Sequence, residues 1–139
     1  MKQTAIFWPM IAHAALVFGV YILIFLRRIA ALKAGNARAS QFRENRDEPA
    51  ESLFVRNNLA NQFELPVLFY AVGVALYVTG GSTTAALVLA WIFTLSRYLH
   101  AFIHITSNRI RYRQPAFALG YLALGMMWLL FAWHLLTLP

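Results

Sequence analysis

The chain has 139 residues, 60% of them hydrophobic and 12% charged, with a formal net charge of +7 and no cysteine. A soluble domain carries about 25% charged residues on a less apolar background, so this composition excludes a disordered chain, argues against an ordinary soluble enzyme and points to a single membrane domain. Without Cys there is no disulfide framework, no thiolate nucleophile and no Cys-based metal site, and any thiol chemistry needs a thiol brought in by a ligand.

Apolar stretches of about 20 residues span a bilayer as helices, and four are read here. The first covers residues 6–26 and stops at Arg27-Arg28. Ala12-His13-Ala14 matches the small-x-small pattern of a signal-peptide cleavage site. The apolar run nevertheless continues to the two arginines, a stop-transfer pattern, so the helix is read as retained. Next comes a polar connection, 27–49, with basic and acidic residues mixed. Glu48-Pro49 reads as the start of a second helix, 50–79, whose apolar part is 59–78 and which ends at Gly80-Gly81. Pro66 lies inside it, frees the carbonyl of Gln62 and predicts a kink. The third helix is read over 84–108, with Thr83 or Thr84 as cap. The fourth is read over 115–138, with Pro115 in the first turn, where its missing N–H costs nothing.

Charge placement orients this all-α, four-helix bundle. Arg27, Arg28, Lys33, Arg38, Arg43, Arg46 and Arg56 lie between helices 1 and 2, and Arg109, Arg111 and Arg113 follow helix 3. The 79–83 loop is uncharged. By the positive-inside rule both basic segments face the cytoplasm and both termini the other side. The basic balance thus reads as topology and attraction to anionic lipid, not as nucleic-acid binding, for which no base-reading motif is present.

Two charges fall within the apolar runs, Glu64 and Arg97. A charge near the bilayer centre costs about 2.5–3.5 kcal/mol on insertion scales, so such residues face protein or water and mark function. Asn57, Asn61 and Glu64 stand at i, i+4 and i+7, and Arg97, His100, His104 and Asn108 at i, i+3, i+7 and i+11, each set on one helix face. Arg111 extends the second stripe if the helix continues. Two such stripes predict a hydrated, charged cleft. Its guanidiniums suit carboxylates, its Glu suits an ammonium group, and an Arg beside a ligand thiol favours the thiolate. The plainer readings are an Arg97–Glu64 ion pair that only fixes packing, and Arg109, Arg111 and Arg113 as mere topological anchors. His100 and His104 have metal-ligand spacing but no accompanying set, so no metal is assigned. His13 and His134 read as lone structural histidines.

Arg56-Asn57-Asn58-Leu59-Ala60-Asn61-Gln62-Phe63-Glu64-Leu65-Pro66 resembles the helix-2 signature of the MAPEG family, the membrane-associated proteins in eicosanoid and glutathione metabolism. Its Asn-x-x-Glu followed by Pro is met by Asn61, Glu64 and Pro66. Arg97, His100, His104 and the basic run 109–113 are similar to the family's helix-3 pattern. The resemblance covers nearly the whole chain and looks like the bacterial branch, which implies the bacterial inner (cytoplasmic) membrane. It implies a four-helix protomer in a homotrimer that binds glutathione between protomers and acts on lipophilic small molecules from the membrane lipid. Glutathione would be held by Asn61, Glu64, Arg97 and His104, with Asn57, His100 and Arg109 alongside. Arg111 or Arg113 would activate the thiol, since family members differ by two residues there. The chain departs from the pattern in having His104 where many family enzymes have Tyr, and Asn57-Asn58 where eicosanoid enzymes have basic residues.

Three functions compete. A glutathione- or thiol-dependent transferase or peroxidase uses the cleft directly. A non-catalytic lipid-binding or scaffold protein shares the fold, because fold alone does not establish chemistry. A proton-coupled transporter would use Glu64, Arg97 and the histidines as a relay, but four helices leave little room for alternating access.

Overall fold

The computed structural model describes residues 2–138, and all regular structure among them is helical. A 3₁₀ turn at Gln3–Ile6 leads into α1, Phe7–Lys33. Then follow α2, Ala39–Glu44; α3, Ala50–Asn61; α4, Leu65–Val78; α5, Thr84–Ile105; and α6, Ile110–Thr137. Four stretches are long and apolar enough to cross a membrane: Gln3–Lys33, Ala50–Val78, Thr84–Ile105 and Ile110–Thr137. The chain is a multi-pass membrane protein built as a four-helix bundle.

The spans differ from the expected ones at four places, each for a local reason. The first helix runs on past Arg27-Arg28 to Lys33, because Ile29, Ala30, Ala31 and Leu32 keep the helical ladder favourable into the aqueous zone. The predicted kink in the second helix is a full break. Gln62 and Phe63 close α3 with tight bonds to the carbonyls of Leu59 and Ala60, and α4 restarts at Leu65 with Pro66 in its first turn. The third helix ends at Ile105, not 108, and Asn108 adopts a left-handed conformation with φ 48°. The fourth begins at Ile110, so Pro115 lies inside it rather than in its first turn. As expected, Thr83 caps α5, its hydroxyl accepting from the Ala86 N–H at 3.2 Å.

In lipid, helices gain little from the hydrophobic effect against one another and associate by close packing. The α5–α6 pair has the most extensive contact in the bundle. Its buried residues are largely small: Ala86, Ala90 and Ala101 on α5, and Ala116, Gly120 and Ala123 on α6. At Gly120 the two backbones approach so closely that an added Cβ would collide with the Ser96 hydroxyl. Phe69 and Phe93 stack at 4.4 Å in the centre. Outward-facing Phe18, Ile22, Phe25, Leu95, Phe102 and Leu129 present an apolar surface to lipid.

The two ends of the bundle are tied differently. At one end, Gln3 donates to the Gly80 carbonyl at 3.2 Å and accepts from the Ser82 N–H at 3.1 Å, and His134 meets the Thr79 carbonyl at 3.0 Å. The neutral 79–83 loop therefore lies with both chain ends. At the other end, Glu48 folds the 27–49 connection back onto the bundle. It accepts from Arg28 Nε at 2.9 Å and Nη2 at 3.1 Å, and pairs with Arg56 at 3.3 Å. Phe42 of α2 lies under the Arg28 guanidinium at 5.2 Å. Burial pushes the Glu48 carboxyl up, but the Arg28 hydrogen bonds and the charges of Arg28 and Arg56 outweigh it and hold the group below the ordinary carboxylate range.

Candidate functional site

The α3–α4 break creates the central feature of the site. In an unbroken helix the Asn61 carbonyl would accept from the Leu65 N–H. Here α3 ends at Asn61, and that carbonyl instead accepts from Arg97 Nη2 at 3.1 Å. Arg97 is 1% exposed, the largest of the fully buried side chains, and lies 5.6 Å from the centre of the Phe117 ring. Its Nε and Nη1 are buried with no hydrogen-bond partner, as is His100 Nδ1. Unmet buried donors cost about 1–3 kcal/mol each and are rare in finished interiors.

Beside these atoms is a cleft of about 220 Å³ lined by Asn61, His100, Arg113, Gln114 and Phe117. Arg113 donates Nη1 to Asn108 Oδ1 at 2.6 Å. The left-handed turn at Asn108 thus aims its amide at the first turn of α6. The cleft can therefore offer the Arg113 guanidinium and side-chain amide N–H groups, with the Arg97 guanidinium beside it, to an anionic or carbonyl-bearing ligand.

Of the nine residues singled out in the sequence, Asn61, His100 and Arg113 line this cleft, Arg97 adjoins Asn61 and Phe117, and His104 packs on His100 with ring centroids 5.5 Å apart. Asn57 and Glu64 are exposed, as are Arg109 and Arg111. Glu64 stands in the break, outside both α3 and α4. Among the described residues no ion pair joins Arg97 to Glu64; the three present are Arg28–Glu48, Arg56–Glu48 and the surface pair Arg43–Glu44. Among the same residues no group of three His, Cys, Asp or Glu gathers as a metal set.

Several residues of the cleft and of a neighbouring network escaped the sequence reading. Gln114 and Phe117 complete the cleft, one residue and one turn beyond Arg113. A buried chain also crosses the bundle: Tyr70 hydroxyl to His13 Nδ1 (2.9 Å), His13 Nε2 to Gln62 Oε1 (3.2 Å), Gln62 Nε2 to Asn58 Oδ1 (3.2 Å) and Asn58 Nδ2 to His104 Nδ1 (3.5 Å). The i, i+4 spacing of Asn58 and Gln62 was a signal in plain view, one residue along from the Asn57–Asn61 pair.

Two apolar grooves face outward. One, of about 360 Å³, lies between α1 and the break, with Val17, Phe18, Phe63, Val67 and Tyr70 among its walls. The other, of about 270 Å³, lies between α4 and α6, around Leu68, Tyr121, Gly125 and Trp128. The model of the MAPEG family matches residues 6–133, nearly the whole chain. No curated protein and no solved structure matches.

Proposed function

The chain belongs to the MAPEG family, and on that premise we propose that it is a glutathione- or other thiol-dependent transferase or peroxidase acting on lipophilic molecules. The observation that carries the reading is the set of buried polar atoms without partners on Arg97, both of them donors, and on His100, next to a cleft holding Arg113. These residues fit glutathione, which has two carboxylates and a thiol. Bound glutathione would supply the sulfur that a chain without Cys lacks.

Roles follow from position. Arg97 Nε and Nη1 would take a ligand carboxylate or carbonyl. Asn61 would fix the adjacent backbone through its shared carbonyl. Arg113, half-buried in the cleft, is the better of the two candidates for holding a thiolate, because a nearby cation favours the charged form; Arg111 is exposed. A lipophilic partner would arrive from the bilayer. Glu64 and Asn57 sit on the exposed surface, and an exposed carboxylate at an apolar face is costly in lipid. A homotrimer would cover Glu64 and let it meet the ligand from a neighbouring protomer. The same reading sets the 27–49 connection and the cleft end toward the cytoplasm of a bacterial inner membrane, with both termini opposite.

The deciding experiment is calorimetric titration of glutathione into the detergent-purified protein, with Arg97→Ala as control. Saturable binding lost in the variant supports the reading, and no binding at millimolar glutathione sinks it. The two outward grooves favour a second reading, a non-catalytic lipid-binding protein of the same fold. It expects a co-purifying lipid and no thiol turnover.

A further inference from the structure

The buried chain from Tyr70 to His104 has a definite direction. Gln62 donates its Nε2 to Asn58 Oδ1 and turns its Oε1 to His13 Nε2. An amide oxygen only accepts, so His13 carries its proton on Nε2. Its Nδ1 is then bare and accepts from the Tyr70 hydroxyl. On the other side Asn58, having spent its oxygen on Gln62, can offer His104 only its NH₂ group. Two N–H groups cannot face each other productively, so His104 Nδ1 has no proton and Nε2 has one. Asn58 and His13 are fully buried, and Gln62 and His104 are 2% and 3% exposed. Water therefore cannot easily replace a member, and leaving a buried polar group unmet is costly. Every hydrogen bond in the chain is satisfied by neutral groups. A charged imidazolium at His104 would point a proton at the Asn58 NH₂ group.

We propose that Asn58, Gln62, His13 and Tyr70 form a positioning chain that holds His104 neutral and in its Nε2–H tautomer, so that it serves the neighbouring site as an uncharged hydrogen-bond donor. His104 stands one turn beyond His100 on α5, their rings in edge contact. With Arg97 and Arg113 it completes a set that offers hydrogens and asks for acceptors. The ligand group that meets His104 is thus a carboxylate, carbonyl or thiolate, and an ammonium group is rejected there. Because the chain runs from α3 to α1 and α4, residues of three helices set the chemistry of one ring on a fourth. The consequence for the ligand rests on the glutathione reading above; the protonation state of His104 does not.

The test is ¹⁵N NMR of histidine-labelled, detergent-solubilised protein at neutral pH without ligand, with His104 assigned through His104→Gln. The expected result is one neutral His104 signature, Nδ1 bare and Nε2 protonated. An imidazolium signature, or the opposite tautomer, overturns the proposal. Gln62→Met keeps the side-chain length but cuts the chain. It is expected to give a mixed tautomer at His104 and to weaken glutathione binding about tenfold, the loss of one well-formed hydrogen bond. An unchanged single signature in a folded Gln62→Met protein also overturns the proposal. Should Gln62→Met fail to fold, the wild-type spectrum still decides. If glutathione does not bind at all, the tautomer result stands by itself and only the functional reading falls.

Discussion

Two buried charged residues in this molecule are treated in opposite ways. Glu48 lies at the surface end of the bundle, 8% exposed, and both of its oxygens are engaged by arginines from α1 and α3. Arg97 lies among the spans, 1% exposed, and has one backbone carbonyl and an aromatic face but two nitrogens with no partner. The Glu48 cluster is self-sufficient: its ionised form is favoured by the partners it already has. Arg97 is held in place yet left short of acceptors. Desolvating a charge without full compensation is destabilising, and such incompleteness is expected where an anion is to be bound rather than where a fold is being fastened.

The contrast makes predictions that differ in kind as well as size. Arg97→Met should cost the largest effect on ligand affinity, a loss of about 100-fold or about 2.7 kcal/mol in glutathione binding. Its thermal midpoint should hold or rise, because an apolar side chain of similar volume removes unmet donors. A midpoint that collapses with Arg97→Met would make the residue structural. Glu48→Gln should do the reverse. We expect a stability loss of about 1–3 kcal/mol in thermal unfolding, discounted from a fully buried pair because the arginines are partly exposed, with affinity within about twofold of wild type.

The acid response sharpens the same point. The folded-state carboxyl of Glu48 is depressed, so its contribution is complete above the unfolded carboxylate value of about 4.3 and is lost as pH falls through the folded value. Wild-type thermal midpoints should fall on acidification below about pH 4, and Glu48→Gln should flatten that part of the profile. Smaller still, Arg113→Lys should lower thiol turnover about tenfold, since an ammonium cannot reproduce the forked geometry. Arg111→Ala, on an exposed residue, should stay within about 0.5 kcal/mol on both activity and stability. Equal losses from Arg111 and Arg113 would remove the distinction between them.

Much of this could be read from residue order alone. Four apolar stretches, the Thr83 cap and the disturbance at Pro66 follow from length, hydropathy and the missing prolyl N–H. The stripe of Arg97, His100 and His104 is a matter of helical period, and all three are buried together as that period requires. What escaped the reading depends on distances that period cannot supply. The Asn57–Asn61–Glu64 stripe assumed one continuous helix. The break at 62–64 interrupts that stripe and puts the Asn61 carbonyl, not its side chain, on Arg97. His13 looked isolated because its partners Gln62 and Tyr70 lie 49 and 57 positions along the chain. Gln114 joins a helix only because α6 begins at Ile110, five residues before the expected start, and it and Phe117 reach the cleft because α6 packs along α5.

The interruption at 62–64 also bears on how the second segment crosses the bilayer. The uninterrupted apolar piece Leu65–Val78 has 14 residues, about 21 Å of helix, against a hydrocarbon thickness of about 30 Å. It is too short to cross by itself, and the remainder of its crossing is made by the more polar α3. In the folded chain this second segment is braced against the first at both ends. The turn preceding α1 holds the far end of the segment through Gln3 and Gly80, and His13 of α1 meets Gln62 at the interruption itself. The brace that lets a short apolar piece complete its crossing is thus part of the same hydrogen-bonded chain that ends at His104.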